Sequence, residues 1–285
     1  MIDYDRLMGL EIQDVTASYG VKDSILYALG LGFGQDPTDE RQLRYVYEKD
    51  LVAAPTLPLV LALPGFWIRD LDTGIDWRRI VYGEQSVELH SAIAPKGTVR
   101  ATMRITDVID KGEGSGALLY AERVLHDAAS NEVIATMKQT VFCRGDGGFG
   151  GPPREQPMPH AVPERAPDMT CTLPTLPQQA LIYRLSGDYN PLHADPEFAR
   201  NAGFERPILH GLATFGVATH AILRELCGYD PARLTSIAGR FTRPVFPGDM
   251  LQTQIWDQGS EFGFRVIVPE RDVVAIDNGR ATVSG

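Results

Sequence analysis

From Tyr183 to His193 the chain reads Tyr-Arg-Leu-Ser-Gly-Asp-Tyr-Asn-Pro-Leu-His, which brings a carboxylate (Asp188), an amide (Asn190) and an imidazole (His193) close together in sequence. Asn190-Pro191 predicts an N-cap followed by proline at the first helical position, where its missing N–H costs nothing. Asp195-Pro196 repeats the start signal, so the first helical piece must be very short. Gly187 and Pro191 shape the backbone on either side of Asp188. A carboxylate and an imidazole held on one rigid turn can share a water molecule, which is a general acid/base arrangement. The same residue types also make an ordinary turn. The pair alone leaves both readings open.

Further on, Phe204-Glu-Arg-Pro-Ile-Leu-His-Gly-Leu-Ala-Thr-Phe-Gly216 leads into a segment with Leu212, Phe215, Thr219, Ile222, Leu223 and Leu226 at helical spacing. Gly211 directly precedes it, so its N–H is among the unpaired donors of a helix start, and the helix dipole adds partial positive charge there. A carbonyl oxygen gaining negative charge against that N–H would be stabilised. Alternatively, Gly211 only permits a tight entry to a buried helix.

The other histidines carry weaker signals. His210 adjoins Gly211 and is expected to shape the loop, His90 lies in an alternating run, His126 at a strand end, His160 in a proline-rich stretch and His220 within the apolar helix. None has ligand spacing, so no metal site is expected. Cys143, Cys171 and Cys227 are far apart and odd in number, which predicts reduced thiols rather than a disulfide framework.

These residues sit on a chain that changes pattern along its length. Lys22–Leu31 reads as a short helix dismantled by Gly30, Gly32 and Gly34, and Leu51–Leu63 as a buried apolar segment. Alternation then predicts strands at Ser86–His90, Val99–Ile105, Leu118–Val124 and Val133–Phe142, an antiparallel meander. The tract Arg144-Gly-Asp-Gly-Gly-Phe-Gly-Gly-Pro-Pro153, with Pro157, Pro159, Pro163 and Pro167 after it, is a connector. No Lys-Ser/Thr follows its glycines, and its prolines deny a following helix, so it does not read as a phosphate loop. Beyond it the plan repeats: a helical segment at Gln179–Leu185, the Leu212–Leu226 helix, then strands at Ser236–Arg243, Leu251–Trp256, Gly263–Val268 and Val273–Val283.

Ser24–Leu29 aligns with Ala180–Leu185, and Pro55–Val60 with Ala213–Ala218. Without gaps, the first alignment puts Gly32 opposite Asp188 and Pro37 opposite His193. The first copy therefore lacks the acid/base pair. Glycines at 30, 32 and 34 would also loosen that copy and free space beside the second. Pattern alone supports an α+β chain, helix plus antiparallel sheet, duplicated.

Together, Gly-Asp-Tyr-Asn-Pro-Leu-His193 and Pro207-Ile-Leu-His-Gly-Leu212 resemble the signature block of the R-specific 2-enoyl-CoA hydratases (hydratase 2, the MaoC-like dehydratases). The resemblance extends in weaker form over nearly the whole chain. It implies a double hotdog, two antiparallel sheets each wrapping a central helix. Residues 1–145 would be a half without the catalytic motif, 146–168 a linker and 169–285 the catalytic half. The implied reaction interconverts trans-2-enoyl-CoA and (3R)-3-hydroxyacyl-CoA without a cofactor. Asp188 and His193 match the catalytic dyad, Asn190 a residue supporting the turn and Gly211 the oxyanion contact. Tyr183 matches a pocket-lining position, Tyr82, Gly83, Lys111 and Phe241 positions for the coenzyme A moiety, and Glu48 a position tied to site integrity. Arg184, Arg206 and Arg243 are unranked further candidates. A hotdog thioesterase, or a non-catalytic acyl-CoA-binding subunit, is the alternative, since fold alone does not separate these functions.

The net charge of −10 argues against a nucleic-acid partner and means that an anionic thioester needs a local cationic patch. No run approaches a membrane span. Met1-Ile-Asp-Tyr-Asp-Arg is not a signal peptide and Val283-Ser-Gly is not a peroxisomal address, so a cytoplasmic location is expected, and the family resemblance implies a homodimer.

Overall fold

The computed structural model describes residues 1–284. Ten strands form in chain order: β1 (Ile12–Tyr19), β2 (Ile80–Leu89), β3 (Gly97–Asp110), β4 (Ala117–Asp127), β5 (Val133–Cys143), β6 (Met169–Pro174), β7 (Leu234–Phe241), β8 (Met250–Asp257), β9 (Phe262–Val268) and β10 (Val273–Val283). They make one antiparallel sheet in the order β1-β3-β4-β5-β2-β7-β10-β9-β8-β6. Read inward from either end, both halves use the same order: first strand, third, fourth, fifth, second. The duplication legible in the sequence is thus a duplication of topology. The halves join edge to edge through β2 and β7, from Glu84 opposite Arg240 to Glu88 opposite Ser236. Joining them removes one exposed edge from each half.

Eight of these strands lie where alternation predicts them. β1 and β6 were not anticipated. Both are outermost strands, and each carries only a short apolar stripe: Val15, Ala17 and Tyr19 in one, Met169, Cys171 and Leu173 in the other. Between Cys143 and Met169 there is no helix or strand.

In the second half the Gly211–Leu226 helix is buried at every position from Ala213 to Leu223. A helix this apolar on all sides must be buried, and here it packs against β6, β7, β8 and β10. Each large apolar side chain it buries contributes roughly 1.5–3 kcal/mol. In the first half the expected central helix is reduced to a single 3₁₀ turn, Leu57–Val60. Pro55, Pro58 and Pro64 explain this difference between the copies, because each removes an amide donor that a longer helix needs.

That irregular segment keeps its carbonyls paired through Arg123 of β4. Its guanidinium donates to Pro58 O (2.9 Å), to Leu59 O (2.8 Å) and to Leu61 O. Arg123 is buried, and that burial pushes its pKa down to about 10.

The space expected beside Gly30–Gly34 is filled by the chain itself. Leu31 and Phe33 are fully buried. A Cβ at Gly216 of the central helix would lie 2.3 Å from Leu31 Cδ2, so glycine there makes room for leucine from the other half. Phe33 stacks on His220 at 3.9 Å, and His220 Nε2 shares a 3.2 Å hydrogen bond with the Tyr229 hydroxyl. No described helix is long and apolar enough to cross a membrane.

Candidate active site

The turn that carries Asp188 and His193 is built from its own residues. Gly187 has φ +122°, a conformation L side chains rarely adopt, and this lets the chain reverse after Arg184–Ser186. The Asp188 carboxylate then accepts from the Asn190 N–H (3.1 Å), and Asn190 Oδ1 accepts from the Leu192 N–H (3.0 Å). Asn190 thereby caps the single 3₁₀ turn Pro191–His193, and Asp195 caps the next helix, Pro196–Asn201. The expected short helical piece and both caps are present.

His193 is buried, and its Nδ1–H donates to Ile208 O at 2.9 Å. That bond fixes the neutral tautomer and leaves Nε2 free to accept a proton. Burial lowers the His193 pKa below the ordinary imidazole value. His210 stacks on it, ring centroids 3.7 Å apart, and donates from Nε2 to the backbone carbonyl of Asp188 at 3.1 Å. Burial, and then the neighbouring His193, push the His210 pKa down to about 4. His210 therefore ties the strand of chain bearing Asp188 to the ring of His193, which fits the loop-shaping role read for it. The sequence offered no signal for the stack, because stacking depends on how two loops meet.

Asp188, His193 and His210 each offer a ligand atom within 4.8 Å of the others. One water hydrogen-bonded to two groups at about 2.8 Å spans roughly 4.6 Å between them, so a single water fits this spacing. The same spacing could hold a metal ion, which the spacing of the histidines along the chain did not suggest.

Gly211 is the first residue of the central helix, so its N–H has no intrahelical partner. Phe241, at the end of β7, packs over it: a Cβ at Gly211 would meet the Phe241 ring at 3.5 Å. Tyr183 is fully buried with its ring 4.9 Å from His210, and its hydroxyl has no hydrogen-bond partner among the described residues.

Phe241 also belongs to a groove of about 200 Å³ at the seam of the two halves, shared with Gly83, Lys111 and the Glu84–Arg240 ion pair (2.6 Å). Tyr82 is next to it in β2. Its side chain is about half exposed there. Gly83 lies at the shift in the β2–β5 register. All four residues carried over for coenzyme A thus lie at or beside one groove, and Phe241 links it to Gly211.

Other candidates lie elsewhere. Glu48 is exposed, Arg184 lies over the Tyr189 ring (4.9 Å), Arg206 lies over Phe246 (4.8 Å), and Arg243 donates to Thr242 O. The arginine that does line the groove, Arg240, was missed. Its signal was available only as a charge pairing with Glu84 across two strands far apart in sequence.

Comparison with known proteins places both halves of the chain. Residues 18–145 match the MFE-2 hydratase 2 N-terminal domain, and residues 157–279 match the MaoC-like domain. Enoyl-CoA hydratase ChsH3 of Mycobacterium tuberculosis is 37% identical over 284 residues, covering 98% of this chain and 97% of that protein. The crystal structure of a MaoC-like dehydratase from Phytophthora capsici superposes with a TM-score of 0.88 at 35% identity, covering 98% of both chains. A Mycobacterium tuberculosis protein described as a double hotdog superposes with a TM-score of 0.60 at 14% identity over 99% of this chain and 98% of that one, a likeness of fold alone. The matched halves, the shared sheet and the Asp188–His193 turn lead to one assignment: this chain belongs to the hydratase 2 branch of the MaoC-like dehydratases.

Proposed function

We propose that this protein adds water across trans-2-enoyl-CoA to give (3R)-3-hydroxyacyl-CoA, and runs the reverse dehydration, with chemistry confined to residues 169–285. Residues 1–145 would complete the fold and the thioester groove, with 146–168 linking the halves. The observation that carries the reading is the pairing of Asp188 with His193: a ligand atom of each lies within 4.8 Å of the other, close to the span of one water, and the Nδ1–H bond to Ile208 O leaves Nε2 of the neutral imidazole without a donor role.

In this mechanism the water is held between the Asp188 carboxylate and His193 Nε2. Its oxygen adds to C3 as one of its protons passes to the dyad, and a proton is delivered from the dyad to C2 on the same face. The net change is one water added to the double bond, with no electron transfer and no cofactor. The thioester oxygen, enolate-like in between, would sit against the Gly211 N–H at the helix start.

The deciding experiment is hydration of crotonyl-CoA with chiral analysis of the product. The (3R)-alcohol supports the reading, whereas release of free coenzyme A would replace it with thioester hydrolysis. The oxyanion role has its own test in Gly211→Pro. Proline is tolerated at the first helical position, and His210 (φ −57°, ψ 137°) already has the conformation that precedes proline. Loss of this one donor should cut kcat by about 10²-fold, while Gly211→Ala, which keeps the N–H, should lose far less. Equal losses in the two variants would remove Gly211 from the mechanism.

The pH profile follows from His193. Its pKa is lowered in the fold, so the imidazole stays neutral at and below the ordinary value of 6.5. The acid limb of kcat should therefore fall below pH 6.5, and a limb centred above 7 would contradict a neutral His193.

All three cysteines are buried and unpaired, which supports a reducing compartment, and we take the cytoplasm as the setting. We also propose a homodimer. Leu181 and Leu185, about half exposed on one outer segment, support a covered surface there. A single-chain mass in light scattering would count against it.

A further inference from the structure

The connector after β5 is held against the groove by one carboxylate. Asp110, at the end of β3, accepts from the N–H groups of Gly148 (2.7 Å), Gly150 (2.7 Å) and, in its own turn, Gly112 (2.8 Å). Although burial pulls the other way, the amides of Gly148, Gly150 and Gly112 keep its carboxyl below the usual carboxylate value. Arg154, further along the connector, lies 3.7 Å from Asp107. The contact is close enough to require glycine: a Cβ at Gly147 would lie 2.1 Å from Gly112 O. The residue between Asp110 and Gly112 is Lys111, which lines the groove, and the connector returns to that groove with Gln156.

We propose that the connector forms a wall of the groove that binds the nucleotide end of the thioester, and that Asp110 is the positioning residue that sets this wall. Resting on the functional reading above, the inference gives the glycine tract a purpose beyond linkage. Asp110 fixes both sides of the groove mouth at once: the turn that presents Lys111 and the glycines that lead to Gln156. The nucleotide end is the part of the substrate with phosphates and base, so it is the part that gains from a cation and an amide held in register. The acyl end, at Asp188 and His193, is untouched by this clamp. Its loss should therefore weaken binding of the carrier without slowing the chemical step.

The test is steady-state kinetics of the full chain on crotonyl-CoA and on crotonyl-pantetheine, which lacks the nucleotide. Asp110→Ala should raise KM for crotonyl-CoA by about 5- to 10-fold, with kcat within about 2-fold, and leave KM for crotonyl-pantetheine in place. Gln156→Ala, an exposed change that cannot compromise folding, should raise KM in the same direction by a smaller factor. Unmoved KM values for crotonyl-CoA in both variants would overturn the inference, as would equal rises on the two thioesters. An inactive wild type, or a fully active Asp188→Asn, would instead defeat the functional reading, so the two failures are told apart.

Discussion

Asp188→Asn is expected to lower kcat for crotonyl-CoA hydration by about three orders of magnitude, with KM little changed. The substitution keeps the size of the side chain and one oxygen that can accept from the Asn190 N–H, so the Asn190–His193 turn should survive. In the proposed mechanism it removes the charge that holds and deprotonates the water. A factor of 10³ corresponds to about 4 kcal/mol in the barrier, of the order expected of a general base that also positions its substrate water. Wild type and variant would be compared at saturating crotonyl-CoA, with circular dichroism to confirm the fold. A residual activity above a tenth of wild type would mean that His193 works without the carboxylate, and the shared-water mechanism would be wrong.

The largest stability effect is expected at Arg123, far from the dyad in sequence. Arg123→Met keeps a long apolar stem and removes the guanidinium that pairs with the carbonyls of Pro58, Leu59 and Leu61. A buried polar group left unpaired costs about 1–3 kcal/mol, so three such carbonyls, partly relaxed, should cost about 3–5 kcal/mol together. Urea unfolding should show a lower midpoint at unchanged slope, since the surface exposed on unfolding is nearly the same. A loss under about 1 kcal/mol would show that water or a local rearrangement satisfies these carbonyls. Arg123 would then be incidental to the first half's missing helix.

The two variants probe different consequences of one duplication. In the second half the buried helix satisfies its own backbone and presents Gly211 and His210 at its start. In the first half prolines removed that helix, and a single buried arginine took over the task of pairing the exposed carbonyls. The absence of a matching Asp/His pair and the loss of the helix lie on the same copy. Side chains from that copy, Leu31 and Phe33, now pack against the helix of the other.

By itself the sequence determined what depends on neighbours along the chain. The caps at Asn190 and Asp195, the glycine at 187, the alternation of eight strands, the apolar helix and the internal repeat are all local patterns whose physics acts over a few residues. The same holds for the Asp188–His193 pair, because both groups lie on one turn. The tertiary structure decided what depends on contacts between distant segments. The edge strands β1 and β6 owe their pairing to partners far along the chain, and so does the Glu84–Arg240 pair in the groove. The His193–His210 stack, the pairing of Arg123 with Pro58, Leu59 and Leu61, and the Asp110 clamp on the connector likewise join residues whose proximity no local pattern encodes. Such contacts form only once the sheet has set its register, and a buried polar group then takes whichever partner the fold has placed beside it.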